Sequence, residues 1–140
     1  MSPPVTAAER LAAALAVLAR DLPNPWDEST DYFHAFSAAM PAGARLDAAS
    51  FKKAMKIGAR YQVDLAPARD MLDALAGAGA DWGEEIAAGW GLVAKVMGAT
   101  LGELSLVFVR APGVVRVRVF LFGREASGAL VGLRSMSTET

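Results

Sequence analysis

The fold is decided by residues 104–134, whose sequence is LSLVFVRAPGVVRVRVFLFGREASGALVGLR. Two runs rich in β-branched and aromatic residues, Leu104–Val109 and Val114–Phe122, have the composition of strands. They are joined by Ala111-Pro112-Gly113, and a Pro-Gly pair favours a tight turn. A third apolar run, Ala129–Arg134, follows the turn-forming residues 124–128. The sequence therefore predicts a three-stranded antiparallel meander in the C-terminal part of the chain.

Within this stretch, alternation assigns side chains to the two faces of the sheet. Arg116 and Arg118 fall on the same face as Phe120 and Phe122, whereas the intervening residues, which include Leu121, fall on the opposite face. We expect Leu121 to be buried.

Helical patterns dominate the sequence before this meander. Thr6 and Glu9 form a T-x-x-E capping box ahead of leucines at helical spacing, which predicts a helix over residues 7–21. Asp47 is a candidate N-cap for a short second helix that ends before Gly58. Pro67 suits the first turn of a third helix.

A fourth helix is predicted after Asp81, because five large apolar residues then recur at helical spacing on one stripe. They are Trp82, Ile86, Trp90, Val93 and Met97. Short strands are predicted at residues 32–37 and 61–65. The complete pattern indicates one α+β domain over residues 1–140, with helices packed on a mostly antiparallel sheet.

Composition excludes several classes of function. The 140 residues contain no cysteine, which excludes disulfides, zinc knuckles and thiol nucleophiles. Fourteen basic and fifteen acidic residues give a net charge of −1, which argues against a protein that coats DNA. No apolar run is long enough to span a membrane, and the first residues lack the basic start of a secretory signal. We expect a cytoplasmic protein without membrane or direct nucleic-acid contact.

Motifs for catalysis are not found in the sequence. His34 is the only histidine, no serine lies in a nucleophile elbow, and the glycine spacing fits neither a P-loop nor a dinucleotide fingerprint. A basic strip, Lys52, Lys53, Lys56 and Arg60, is interpreted as a solvated helical face because no aromatic residue interleaves it. We predict no catalytic residues, no enzymatic activity and no cofactor.

Three motifs in matching order give the chain a resemblance to a known family. Residues 122–140 end in Thr138-Glu139-Thr140, residues 26–33 have the sequence WDESTDYF, and Asp81-Trp82 precedes Glu84 and Glu85. This ordered set resembles the nuclease A inhibitor family, whose members carry a terminal V-E-T, an S-E-S-[DE]-Y-P-F loop and a D-W pair before an acidic helix start.

The resemblance implies an α/β/α sandwich that blocks the active site of a sugar-non-specific, Mg-dependent DNA/RNA endonuclease. It implies that the hydroxyl of Thr140, beside Glu139, is a ligand of the partner nuclease's Mg²⁺. It further implies that Glu28 pairs with a basic residue of the nuclease and that Trp82 packs in the interface. Mg²⁺ prefers oxygen ligands, and a buried tryptophan is a common interface anchor.

Two alternatives remain open from the residues. One is a non-enzymatic interaction or chaperone-like module that has the same fold and a different partner. The other is an enzyme that assembles its site from scattered carboxylates.

Overall fold

The computed structural model describes residues 6–20, 22, 32–76 and 83–138. In these ranges the chain forms helices α1 (Ala7–Ala19), α2 (Ala48–Met55), α3 (Arg69–Ala76) and α4 (Glu84–Thr100), and strands β1 (His34–Ala38), β2 (Gln62–Pro67), β3 (Gly102–Arg110), β4 (Arg116–Arg124) and β5 (Leu130–Thr138). The α+β class is confirmed. None of the helices in the described ranges is long and apolar enough to cross a membrane.

The five strands form one antiparallel sheet in the order β1-β5-β4-β3-β2. The predicted meander is its centre, because β3, β4 and β5 pair in sequence order. Strands β1 and β2 are the two edges of the sheet.

Helices lie on both faces of the sheet and give it the predicted sandwich form. On one face, called here the α2 face, Phe51 of α2 stacks on Phe122 at 5.1 Å between ring centroids and meets Phe120 edge-on at 5.2 Å. Helices α1, α3 and α4 cover the opposite face, called here the three-helix face. There Trp90 and Leu121 belong to one buried cluster, and both side chains are fully inaccessible.

The face assignment made from alternation is confirmed. Leu121 is buried in the cluster with α1 and α4, whereas Phe120 and Phe122 lie in the cluster with α2. A register slip of one residue would have reversed this arrangement.

Gly132 allows the sheet to pack closely at its centre. It pairs with Phe122 of β4 and with Phe36 of β1. A Cβ atom at this position would lie 2.1 Å from the carbonyl oxygen of Leu121. A glycine is therefore required by the close approach of the neighbouring backbone.

Several predicted boundaries were wrong. Helix α1 ends at Ala19, and its capping box is half-formed: the Glu9 amide donates to the Thr6 hydroxyl, but the reciprocal bond is absent from the described contacts. Pro67 ends β2 instead of starting α3. This edge position tolerates a residue without an N–H group.

The largest boundary error is at the C-terminus. Strand β5 does not end at Arg134 but continues to Thr138, which pairs with Arg116. Ser135 and Ser137 are buried, so the last strand predicted from the sequence ends four residues too early.

Candidate functional site

The four residues predicted to bind a partner, Glu28, Trp82, Glu139 and Thr140, lie outside the described residues. They belong to three stretches, residues 23–31, 77–82 and 139–140, that we call the three contact segments. The described residues that flank these segments show where each one joins the fold.

The first contact segment is bounded by two residues that are fixed on helix α4. Leu22 is buried, and its Cδ2 atom lies 2.6 Å from the place that a Cβ atom on Gly89 would occupy. Phe33 meets the ring of Trp90 edge-on, with 5.4 Å between the ring centroids. The segment therefore leaves from and returns to a well-packed part of the core.

The third contact segment follows directly from a paired strand. The hydroxyl of Ser135 donates a 3.0 Å hydrogen bond to the carbonyl oxygen of Tyr32, which immediately follows the first contact segment. Strand β5 then continues beside β4 as far as the pair of Thr138 with Arg116. Residues 139–140 follow this last pair in the sequence.

The second contact segment immediately precedes Gly83, the N-cap of α4. Gly83 has a φ of +89° and makes no side-chain capping bond, and Glu84 and Glu85 lie in the first turn of the helix. Carboxylates in this position interact favourably with the helix dipole. The predicted Asp81 cap lies outside the described residues.

The direction of α4 places its N-terminus towards the Phe33 end of the sheet. Trp90 contacts Phe33, whereas Leu101, just after the helix, lies against Gly123 near the far end of β4. The end of β1 at Phe33 is also the end at which β5 stops and β4 starts, because these strands are antiparallel. The attachment points of all three contact segments therefore lie at one end of the molecule, although the segments are far apart in sequence.

The three contact segments have a distinctive composition. They contain Asp27, Glu28, Asp31, Asp81 and Glu139 and no lysine or arginine. Such acidic segments suit a partner with a basic, cation-binding cleft.

A positively charged region lies on the α2 face near the same end. Arg134 of β5 pairs with His34 of β1, and Arg118 of β4 lies within cation–π distance of Tyr61, with its Cζ atom 5.2 Å from the ring centroid. No local sequence pattern indicated this cluster, because Arg118 and Tyr61 are far apart in the chain. The alternation of Arg116 and Arg118 with valines was the only sequence pattern that indicated basic side chains on this face.

His34 is exposed on edge strand β1. Among the described residues, no group of three or more histidine, aspartate or glutamate side chains is arranged to hold a metal ion. The expectation that the chain lacks a metal site of its own stays a prediction.

In comparisons with known proteins, the chain matches no protein-family model and no curated protein sequence. The fold and the surface chemistry therefore carry the functional argument.

Proposed function

We propose that the chain is a protein inhibitor that binds and blocks the active site of a non-specific, Mg-dependent DNA/RNA endonuclease. The observation that carries the proposal is the common location of the attachment points of the three contact segments. Leu22 and Phe33 bound the first segment, Gly83 follows the second, and Thr138 precedes the third. Segments attached in this way are suited to form one continuous contact surface.

Charge favours a nuclease as the partner. A nuclease that cleaves both DNA and RNA must attract a polyanion, so its cleft combines basic residues with a divalent cation. The contact segments contain five acidic residues and no basic one. Carboxylates in the place of substrate phosphates would accept charge-assisted hydrogen bonds from arginine and lysine.

Each predicted contact residue has a distinct role in the proposal. The carboxylate of Glu28 pairs with a basic residue of the nuclease, and the ring of Trp82 packs as an apolar anchor. The hydroxyl of Thr140, supported by Glu139, supplies an oxygen to the nuclease's Mg²⁺. This chain contributes no catalytic group and no cofactor, and a cytoplasmic location belongs to the same proposal.

The paired strand that precedes Thr140 strengthens the metal-contact idea. Because residues 135–138 are paired in β5, only Glu139 lies between the sheet and Thr140. A short connection loses little conformational entropy when Thr140 reaches a metal ion. A long free tail would lose more.

The test is inhibition of a panel of sugar-non-specific, Mg-dependent endonucleases by the intact chain and by tail variants. We expect Thr140→Val and deletion of residues 139–140 to reduce inhibition sharply, with unchanged melting temperature. Thr138→Val is the matched control, because it makes the same chemical change inside the paired strand, and it should still inhibit.

Two outcomes would contradict this proposal. Equal inhibition by the intact and deleted chains would remove the metal contact. Absence of inhibition across the panel, together with binding to a protein that is not a nuclease, would instead support an interaction or chaperone-like module.

A further inference from the structure

A row of three arginines crosses the α2 face of the sheet; we call it, with the neighbouring His34 and Tyr61, the arginine tract. It consists of His34, Arg134, Arg118 and Arg60, together with the ring of Tyr61. Arg134 lies directly beside His34 across the β1–β5 pair and opposite Phe120 of β4. Arg118 lies two residues along β4 and is therefore a diagonal neighbour of Arg134.

The ring of Tyr61 has two guanidinium groups close to it. The Cζ atom of Arg60 lies 4.9 Å from the ring centroid and that of Arg118 lies 5.2 Å from it. Arg60 Nη2 also donates a 2.9 Å hydrogen bond to the phenolic oxygen. This bond, with the positive charges of Arg60 and Arg118, lowers the pKa of Tyr61, which indicates a positive potential here.

Apolar groups lie between the cations. A depression of about 250 Å³ is lined by Arg118 and Arg134, by His34, and by the side chains of Met55, Phe120 and Met136. In the part of the chain that the structure describes, Arg60, Arg118 and Arg134 form no salt bridge with a carboxylate. These three guanidinium groups supply the positive charge of the tract.

We propose that the arginine tract binds single-stranded nucleic acid. From His34 on β1 to Tyr61 just before β2, the tract crosses the whole sheet, which is roughly 20 Å at about 4.8 Å for each strand interval. The arginines lie beside the half-buried ring of Tyr61 and the half-buried thioethers of Met55 and Met136, and a single strand likewise combines phosphates with bases. Guanidinium groups neutralise phosphates, and an aromatic ring stacks on a base of any sequence.

This proposal revises the expectation that the chain makes no direct contact with nucleic acid. It also revises the interpretation of Arg60, the last member of the basic strip, as part of a solvated face without an aromatic residue. Tyr61 follows Arg60 in the sequence, and the fold brings Arg118 of β4 to the same ring. An acidic peptide would match the charges but would make no comparable use of the ring.

The experiment measures fluorescence anisotropy of a labelled ten-residue deoxythymidine oligonucleotide with the purified chain, without any nuclease. We expect saturable binding at low salt. With about three phosphates neutralised, the slope of log K against log salt concentration is expected to be about −2.

Variants connect the binding to the tract. Arg118→Gln with Arg134→Gln should weaken binding at least about tenfold and make the salt slope shallower by about 1.4. The matched control, Arg20→Gln with Lys95→Gln, removes two exposed charges outside the tract and should have little effect. Tyr61→Leu should weaken binding at least about fivefold, whereas Tyr61→Phe, which keeps the ring, should not.

Three results would overturn the proposal. The first is the absence of saturable binding at low salt. The second is that the tract variants and the control pair weaken binding equally. The third is that poly-glutamate competes as strongly as the unlabelled oligonucleotide. The last result would identify an acidic peptide as the ligand. No nuclease is present in this assay. A negative result therefore does not contradict the proposed inhibition, and absence of inhibition does not contradict the binding of nucleic acid.

Discussion

The hydroxyl of Ser135 donates a 3.0 Å hydrogen bond to the carbonyl oxygen of Tyr32, which connects residues 103 positions apart in the chain. Tyr32 immediately follows the first contact segment, and Ser135 lies in the strand that leads to the third. This bond therefore fixes two of the proposed partner-binding regions relative to each other. A serine beyond the predicted end of the last strand is therefore part of the framework of the site.

Ser135→Ala should lower the free energy of unfolding by about 1 kcal/mol, because it leaves the Tyr32 carbonyl without this donor. Urea denaturation measures the change. The control is Ser37→Ala, an exposed serine of β1, which should change stability by less than about 0.5 kcal/mol. Equal effects of the two substitutions would show that the Ser135 bond has no particular structural role.

Arg124→Lys should destabilise the fold although it keeps the positive charge. The guanidinium of Arg124 donates to the carbonyl oxygens of Pro41 at 2.7 Å, Ala44 at 2.5 Å and Gly128 at 3.2 Å. Its side chain is only 9% exposed. A lysine cannot donate in this forked geometry, so we expect a loss of about 1.5–3 kcal/mol in thermal or urea unfolding. Arg45→Lys, at an exposed position, is the control. An unfolding midpoint of Arg124→Lys equal to that of the native chain would contradict this account.

Glu28→Gln tests the proposed interface with the nuclease. Loss of one partner of a buried interfacial charge pair costs about 2–5 kcal/mol, which weakens binding about 30-fold to several-thousand-fold. The melting temperature should stay nearly constant. Glu9→Gln removes one exposed carboxylate from α1 and should leave the affinity for the nuclease unchanged in calorimetric titration. If Glu28 is only a solvated loop residue, the two variants will bind alike.

Acid should weaken the start of α2 through Asp47. The pKa of this carboxyl is lowered mainly because the carboxylate accepts a 2.8 Å hydrogen bond from the Ser50 amide. A carboxyl with a lowered pKa stabilises the folded state above its unfolded value, about 3.9, and this contribution is lost as the pH falls through the folded value. Asp47→Asn keeps a capping oxygen that does not titrate.

We expect the free energies of unfolding of the native chain and of Asp47→Asn, measured from pH 7 to pH 2, to differ by an amount that changes below about pH 4. The native chain should lose stability relative to Asp47→Asn as the pH falls. A constant difference over this range would show that the Asp47 carboxyl does not stabilise the fold.

Local patterns in the sequence were sufficient to predict the class of the fold. β-Branched runs around Pro112-Gly113 predicted the meander, and helical spacing of Trp90, Val93 and Met97 predicted the buried stripe of α4. These signals are reliable because the side-chain period of a strand or helix is set by its own backbone geometry. Leu121 was assigned to the correct face for the same reason.

The end of β5 depended on contacts that no local pattern contains. Three of residues 135–138 carry hydroxyl groups, yet Ser135 and Ser137 are buried. Their backbones pair with β4, and the Ser135 hydroxyl donates to the Tyr32 carbonyl. Polar residues can be buried where such partners exist. These partners belong to chain segments that lie about 20 and about 100 residues away in the sequence.

The sequence by itself determined the elements, the faces of the central strands and the acidic composition of the three contact segments. Only the tertiary structure placed the attachment points of these segments at one end of the sheet and brought Arg118 to the ring of Tyr61. The physical reason is that periodicity and capping act over one or two turns of chain, whereas strand order and packing are decided by burial of apolar surface across the whole domain.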